Sequence, residues 1–128
     1  MRHDLVASAM AAREHARAAY SGFKVGAAIR TQDGAIFSGC NIENATLGLT
    51  VCAERVALWK ALSEGADSFT EIVIATDSDN GGPCGACRQL LWEYCGDIAV
   101  RFHSIAGRDQ MFRLSELLPH PFDANSLG

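Results

Sequence analysis

The sequence predicts an α/β domain, a mixed sheet of about five strands lying between two layers of helices. Three observations carry this. A stretch with apolar residues at helical spacing opens the chain, a β-hairpin signal follows it directly, and helix-like and strand-like segments then alternate toward the C-terminus. Alternating helices and strands give parallel pairs with helices over the sheet faces, whereas a hairpin makes its own pair antiparallel. The 128 residues match the length of one domain, so residues 1–128 are expected to share a single core.

Asp4 is placed to cap a first helix over roughly residues 4–19. Leu5, Ala9, Ala12, Ala16 and Ala19 fall at helical spacing there, and Tyr20-Ser21-Gly22 closes the pattern. Val25 to Thr31 and Ala35 to Cys40 are β-capable runs, joined by Gln32-Asp33-Gly34 with the Asp-Gly signal of a tight turn. Residues 41–51 hold no sustained period. Cys52 to Leu62 carries Val56, Trp59 and Leu62 among helix formers and stops by Gly65, so a second helix begins near Cys52. Glu71 to Thr76 is nearly continuous in apolar residues, the pattern of a strand covered on both faces. A polar, Gly-rich loop from Asp77 to Pro83 leads into a third helix, Cys84 to Cys95, and then a strand from Ile98 to His103. A short strand near Met111 to Leu114 and a helical turn over Ser115 to Leu118 complete the order, because Pro119 and Pro121 stop any continuation.

Composition narrows the function classes. Lys and Arg total 11 against 15 Asp and Glu, a net charge of −4, so there is no basic surface to displace counterions from a nucleic-acid backbone. No run approaches the roughly 18 consecutive apolar residues of a membrane span. The N-terminus leads into an Ala-rich amphipathic stretch rather than a signal-peptide core, and the expected location is the cytoplasm.

The five cysteines, at 40, 52, 84, 87 and 95, form an odd set in a chain large enough to hold a core without disulfides. Metal or redox chemistry is the better reading. Cys84-Gly85-Ala86-Cys87 follows Pro83 at the start of the third helix, and Cys52-Ala53-Glu54 opens the second. A thiol at a helix N-terminus meets the positive end of the helix dipole and unpaired N–H donors, which favour thiolate, the metal-binding form. Three such thiolates suit one zinc ion per chain, and three protein ligands leave a fourth tetrahedral position for water. Glu54 stands in the same first turn as Cys52, where it can exchange protons with that water. Ligand-x-Glu followed by Pro-Cys-x-x-Cys is the signature of zinc deaminases acting on nucleobases. Three thiolates on Zn²⁺ leave a net charge of −1, which Arg55, next to Glu54, is placed to offset from behind the ligands.

On these motifs the sequence resembles the small cytidine deaminases whose zinc is held by three cysteines. The resemblance runs through Tyr20 to Ala28, Gly39 to Asn44, Cys52 to Arg55, Pro83 to Gln89 and Glu116 to Pro119. It implies the three-layer deaminase fold, zinc on Cys52, Cys84 and Cys87, Glu54 as the acid/base residue, and hydrolysis of free cytidine or deoxycytidine to the uracil nucleoside and ammonia. It further implies Asn41 and Glu43 as ribose ligands, with Phe23 as an aromatic neighbour of the nucleoside. Ala53 is implied as a substrate contact, and the Gly82 carbonyl as acceptor for the exocyclic amino group. By the same resemblance the active unit is a homotetramer, in which Phe122, beyond Leu117-Leu118-Pro119, reaches into a neighbour's site. Leu47 stands where many relatives have Tyr, a departure that widens the expected range toward modified nucleosides.

Other readings remain beside this one. A structural zinc module would recruit Cys40 or Cys95 as a fourth ligand, and a thiol redox site would use Cys84 and Cys87 alone, leaving Cys52-Ala53-Glu54 unexplained. Within the deaminases, an enzyme for an altered cytosine nucleoside such as blasticidin S is the nearest competitor. Cys40 and Cys95 are otherwise read as packing residues and Arg88 as a helix-surface or interface cation. Trp59 and Trp92 are read as core or interface residues, and histidines 3, 15, 103 and 120 as solvated or structural.

Overall fold

The computed structural model describes residues 2–78 and 81–127. The chain runs α1 (Arg2–Arg13), β1 (Gly26–Thr31), β2 (Ile36–Cys40), α2 (Ala53–Ser63), β3 (Phe69–Thr76), α3 (Gly85–Cys95), β4 (Ala99–Ser104), β5 (Asp109–Arg113) and α4 (Leu114–Leu117). Single 3₁₀ turns lie at Leu47–Leu49 and Ala124–Leu127. The strands form one five-stranded sheet in the order β2-β1-β3-β4-β5. Only β3 and β4 pair in parallel, with α3 as the crossover between them; the other neighbours are antiparallel. The expected mixed sheet and α/β/α layering are both present.

The layering follows from the two-residue alternation of a strand. Ala27 and Ile29 of β1, with Ile72 and Ile74 of β3 and Val100 of β4, face Ala57, Leu58, Ala61 and Leu91 of α2 and α3. Ala28, Val73 and Ala75 face the opposite way, onto Leu5 and Ala9 of α1. Full burial of each large aliphatic side chain in these layers is worth about 1.5–3 kcal/mol.

The first helix is shorter than the spacing predicts. It ends at Arg13, and three successive i→i+3 turns, Glu14 to Ala11, His15 to Ala12 and Ala16 to Arg13, unwind it. The cause is non-local. Arg17 donates its N–H to the Asn41 carbonyl at 2.9 Å and accepts from Glu43 N–H at 2.8 Å, so this segment joins the chain leaving β2 instead of extending the helix. Asp4 also lies inside the first turn rather than capping it.

One end of the sheet gathers the pieces of a site. The start of β1 pairs there with the end of β2 (Gly26 with Cys40) and the end of β3 (Gly26 with Ala75). The first turns of α2 and α3 come to the same end, outside the carboxyl ends of the strands, where open α/β sheets place their ligands.

Candidate functional site

Cys52 and Cys84 are the N-cap residues of α2 and α3. Both have extended backbones, φ −77° and −68°, and neither side chain caps its helix. Both sulfurs are therefore free to turn toward one another, and Cys87, one turn into α3, is buried beneath them. The three Sγ atoms all lie within 4.8 Å of each other, with Cys84 and Cys87 3.5 Å apart. Thiolates at about 2.3 Å around a tetrahedral zinc ion stand about 3.8 Å from one another, so the donor set fits that metal. No other group of three metal-binding side chains occurs among the described residues. Cys40 and Cys95 lie elsewhere, in β2 and at the end of α3, where burial pushes both thiols up, Cys95 to about 12.

Without the metal, the sulfurs share protons unevenly. The hydrogen bond with Cys87 pulls Cys52 down to about 6 against the opposing effect of burial, with Arg55 adding to the pull, and the same contact raises Cys87. A hydrogen bond to Cys87 is also the main reason the Arg55 guanidinium binds its proton more tightly. Arg55 thus stands behind the sulfurs, as its sequence position suggests.

Glu54 is only 5% exposed. Burial pushes its carboxyl up to about 7; its own backbone N–H opposes the rise, and the negative Cys52 supports it. A carboxyl near neutrality can both accept and release a proton under working conditions.

These groups open into a cavity of about 270 Å³. Cys52, Ala53, Glu54 and Cys84 line one side, Phe23, Asn41 and Glu43 the other, and Thr76, Gly81 and Gly82 the end of β3. The volume falls just under the roughly 300–1,000 Å³ usual for small-molecule pockets, which suits one compact ligand. A larger cavity, about 510 Å³, lies between the β1–β2 turn and the end of α2. It has acidic Asp33, Glu64 and Asp67 on its wall but no thiol, so the chemistry belongs to the smaller one.

The wall opposite the sulfurs is tied down by polar contacts. Asn41 spends both ends of its amide on backbone: Nδ2 donates to the Phe23 carbonyl at 2.8 Å and Oδ1 accepts from Val25 N–H at 2.9 Å. One Nδ2 hydrogen remains for a ligand. Glu43 Oε1 accepts from Tyr20 and Ser21 N–H at 2.9 and 3.0 Å, and Oε2 accepts from the Ser21 hydroxyl. These hydrogen bonds, the Ser21 hydroxyl first, hold the Glu43 carboxyl below its ordinary value. Gly82 approaches the Phe102 ring so closely that a Cβ would overlap it, leaving its peptide carbonyl in the loop before Pro83 and Cys84.

All the sequence-predicted site residues except Phe122 and Arg55 line the cavity or supply its sulfurs. Phe122 is 61% exposed and absent from the wall. Its backbone is gripped by Gln89 of α3, which donates to the Phe122 carbonyl at 2.6 Å and accepts from its N–H at 2.9 Å. Trp92 Nε1 donates to Asp123 at 3.3 Å. Arg88 is not a free surface cation either: Nε donates to the Pro83 carbonyl and Nη1 to the Leu117 carbonyl, both at 2.8 Å. Sequence reasoning gave no role to Ser21 or Gln89, since each acts on a residue more than twenty positions away.

Comparison with known proteins agrees with this geometry. Residues 1–102 match the family model described as the cytidine and deoxycytidylate deaminase zinc-binding region. Cytidine deaminase of Halalkalibacterium halodurans is 45% identical over 129 residues, covering 99% of this chain and 98% of that one. Cytidine deaminase of Sporosarcina psychrophila is 42% identical over 126 residues, covering 97% and 93%. The crystal structure of cytidine deaminase from Burkholderia pseudomallei superposes with a TM-score of 0.88 at 44% identity, covering 95% of this chain and 99% of that one. With a family model matching most of its length and relatives above 40% identity over nearly the whole chain, this chain belongs to the family of cytidine and deoxycytidylate deaminases.

Proposed function

We infer that this chain, as one deaminase domain over residues 1–128, hydrolyses free cytidine and deoxycytidine to uridine and deoxyuridine with release of ammonia. The observation that carries the reading is the Cys52, Cys84 and Cys87 triplet beside the buried Glu54 carboxyl in one cavity of small-ligand size. Zinc on the three sulfurs supplies the Lewis acidity that makes a water nucleophilic near neutral pH. Glu54 moves the protons: it accepts one from the attacking water and delivers it to N3 of the cytosine ring, then takes the remaining proton of the oxygen now bonded to C4 and passes it to the amino group, which leaves as ammonia as the C4 carbonyl forms. The Gly82 carbonyl accepts a hydrogen bond from that amino group, and Ala53, at the first turn of α2, lies against the base. Glu43, with acceptors only, and the free Nδ2 hydrogen of Asn41 take the sugar hydroxyls, while Phe23 walls the nucleoside. Arg55 offsets the excess negative charge of the thiolates through Cys87.

The oligomer belongs to the same reading. Phe122 projects an exposed ring from a backbone pinned to α3, an arrangement suited to filling the open side of a neighbouring copy's cavity in a homotetramer. Cytoplasmic residence fits five cysteines left unpaired, and no described helix is long and apolar enough to cross a membrane. The net acidic charge is unsuited to a nucleic-acid partner. Acceptance of sugar-modified cytosine nucleosides is favoured by one feature, a second cavity of about 420 Å³ that shares Ser21, Glu43 and Thr50 with the first and is bordered by Leu47.

The deciding assay incubates the zinc-loaded protein with cytidine and follows ammonia and the ultraviolet change to uridine. Equimolar uridine and ammonia are expected. No turnover of either plain nucleoside, together with turnover of an altered one, would overturn the main assignment in favour of the modified-nucleoside reading.

A further inference from the structure

We propose that Ser21 is a positioning residue for substrate recognition: its hydroxyl fixes the Glu43 carboxylate and thereby sets the preference for ligands that carry sugar hydroxyls. This rests on the reading of Glu43 as the sugar ligand. Ser21 lines the cavity between the two walls that meet there. Its Oγ accepts from Phe23 N–H at 3.0 Å and donates to Glu43 Oε2.

That pair of contacts determines where the hydroxyl proton goes. A serine hydroxyl has one hydrogen and two lone pairs. The Phe23 N–H can only donate, so it occupies a lone pair and leaves the hydrogen for the carboxylate. Gly22 makes the arrangement possible: its φ of +69° folds the turn so that the Ser21 side chain reaches the N–H two residues on. The Tyr20 and Ser21 N–H groups already hold Oε1. With all three donors in place, Glu43 is locked on the cavity wall as an acceptor with one site remaining, on Oε2. A fixed acceptor rewards a ligand that brings a hydroxyl and gains nothing from one that lacks it. Remove the Ser21 hydroxyl, and Oε2 is left to rotate and Phe23 N–H loses its acceptor. Two points of the wall, Phe23 and Glu43, loosen together because one hydroxyl serves both.

The test compares Ser21→Ala, Ser21→Thr and Glu43→Gln as zinc-loaded enzymes, on cytidine and on 2′,3′-dideoxycytidine, whose sugar lacks both secondary hydroxyls. Hydrogen bonds to charged groups are strong enough that Ser21→Ala is expected to raise KM for cytidine about tenfold with kcat within about twofold of wild type. The KM or inhibition constant for the dideoxy nucleoside should stay within about twofold, and Ser21→Thr, which keeps the hydroxyl, should restore the cytidine KM. An unchanged cytidine KM in Ser21→Ala overturns the proposal, as does an equal loss on both ligands, which is the mark of general damage to the fold. The Glu43→Gln arm separates the two levels. If Glu43→Gln abolishes discrimination between the ligands while Ser21→Ala keeps it, only the Ser21 assignment falls; if Glu43→Gln also discriminates normally, the sugar-ligand reading falls and takes this one with it.

Discussion

Glu54→Gln tests the proposed chemistry most directly. The substitution keeps the shape of a side chain that is only 5% exposed and replaces a proton carrier with an amide that cannot carry one. General acid–base catalysis is worth about 10² to 10⁴-fold in rate. Two features of the structure place the loss at or beyond the upper end of that range. One carboxyl is asked to serve the water, the ring nitrogen and the leaving amine in turn. The other carboxylate on the described cavity wall, Glu43, is held below its ordinary value by its hydrogen bonds, the Ser21 hydroxyl first, so it is a poor proton donor and does not substitute. A 10⁴-fold loss corresponds to about 5.5 kcal/mol of transition-state stabilisation. Steady-state turnover of cytidine measures the rate, metal analysis confirms one zinc per chain, and titration calorimetry with uridine checks that the cavity still binds. The reasoning predicts kcat down by about 10⁴, with zinc content and product affinity retained. A zinc-replete variant within about tenfold of the wild-type rate would show that the protons travel by another group.

Replacing Cys52, Cys84 or Cys87 singly by Ala should lower zinc content and turnover together; full occupancy by metal analysis in all three variants would dismiss the triplet as the metal site. Gly82→Ala places a methyl into the Phe102 ring, and such overpacking typically costs about 1–3 kcal/mol. Denaturant titration should report that loss, and cytidine KM should rise as the carbonyl is displaced. Removing the Gln89 side chain, by Gln89→Ala, deletes both hydrogen bonds that pin Phe122, about 1–3 kcal/mol of tail docking in total. Faster hydrogen exchange at Phe122 N–H is the expected readout, while deletion of residues 120–128 should leave zinc bound and weaken nucleoside binding.

The parts legible in the sequence are those written locally. Pro83 before Cys84, helix formers after Cys52 and the Asp33-Gly34 turn each act within a few residues, and each element they mark is present within a few positions. The end of α1 was not local. Continuation of the helix through Ala16 and Ala19 loses to the pairing of Arg17 with Asn41 and Glu43, a competition that no helical periodicity can register. The same holds for the site. Sulfur spacing announces the candidate metal ligands, whereas the Ser21 to Glu43 contact spans 22 residues and the Gln89 to Phe122 contact 33. Nothing in the composition of either segment distinguishes these side chains from ordinary surface polar groups. Arg88 illustrates the cost of that ignorance: it looks like a helix-surface cation, yet it ties the Pro83 loop to the end of α4.

The helix starts explain why so much of the chemistry was nonetheless visible. An N-cap is ordinarily Ser, Thr, Asp or Asn, because the side-chain oxygen satisfies one of the unpaired N–H groups, and omitting it costs about 1 kcal/mol. The first turn of α4 is satisfied by side chains: Glu116 reaches back to the Arg113 N–H at 2.7 Å, and Asp97 takes the Ser115 N–H at 2.7 Å. At α2 and α3 no side-chain cap is made. Cys52 and Cys84 occupy the cap positions and cap nothing, so both helices keep their positive ends open toward the same point. Local stability is given up at the two places where unsatisfied N–H groups and helix dipoles favour thiolate over thiol. A cysteine where a capping residue belongs is a local violation, and two such violations converging on one cavity mark the candidate metal site in the sequence itself.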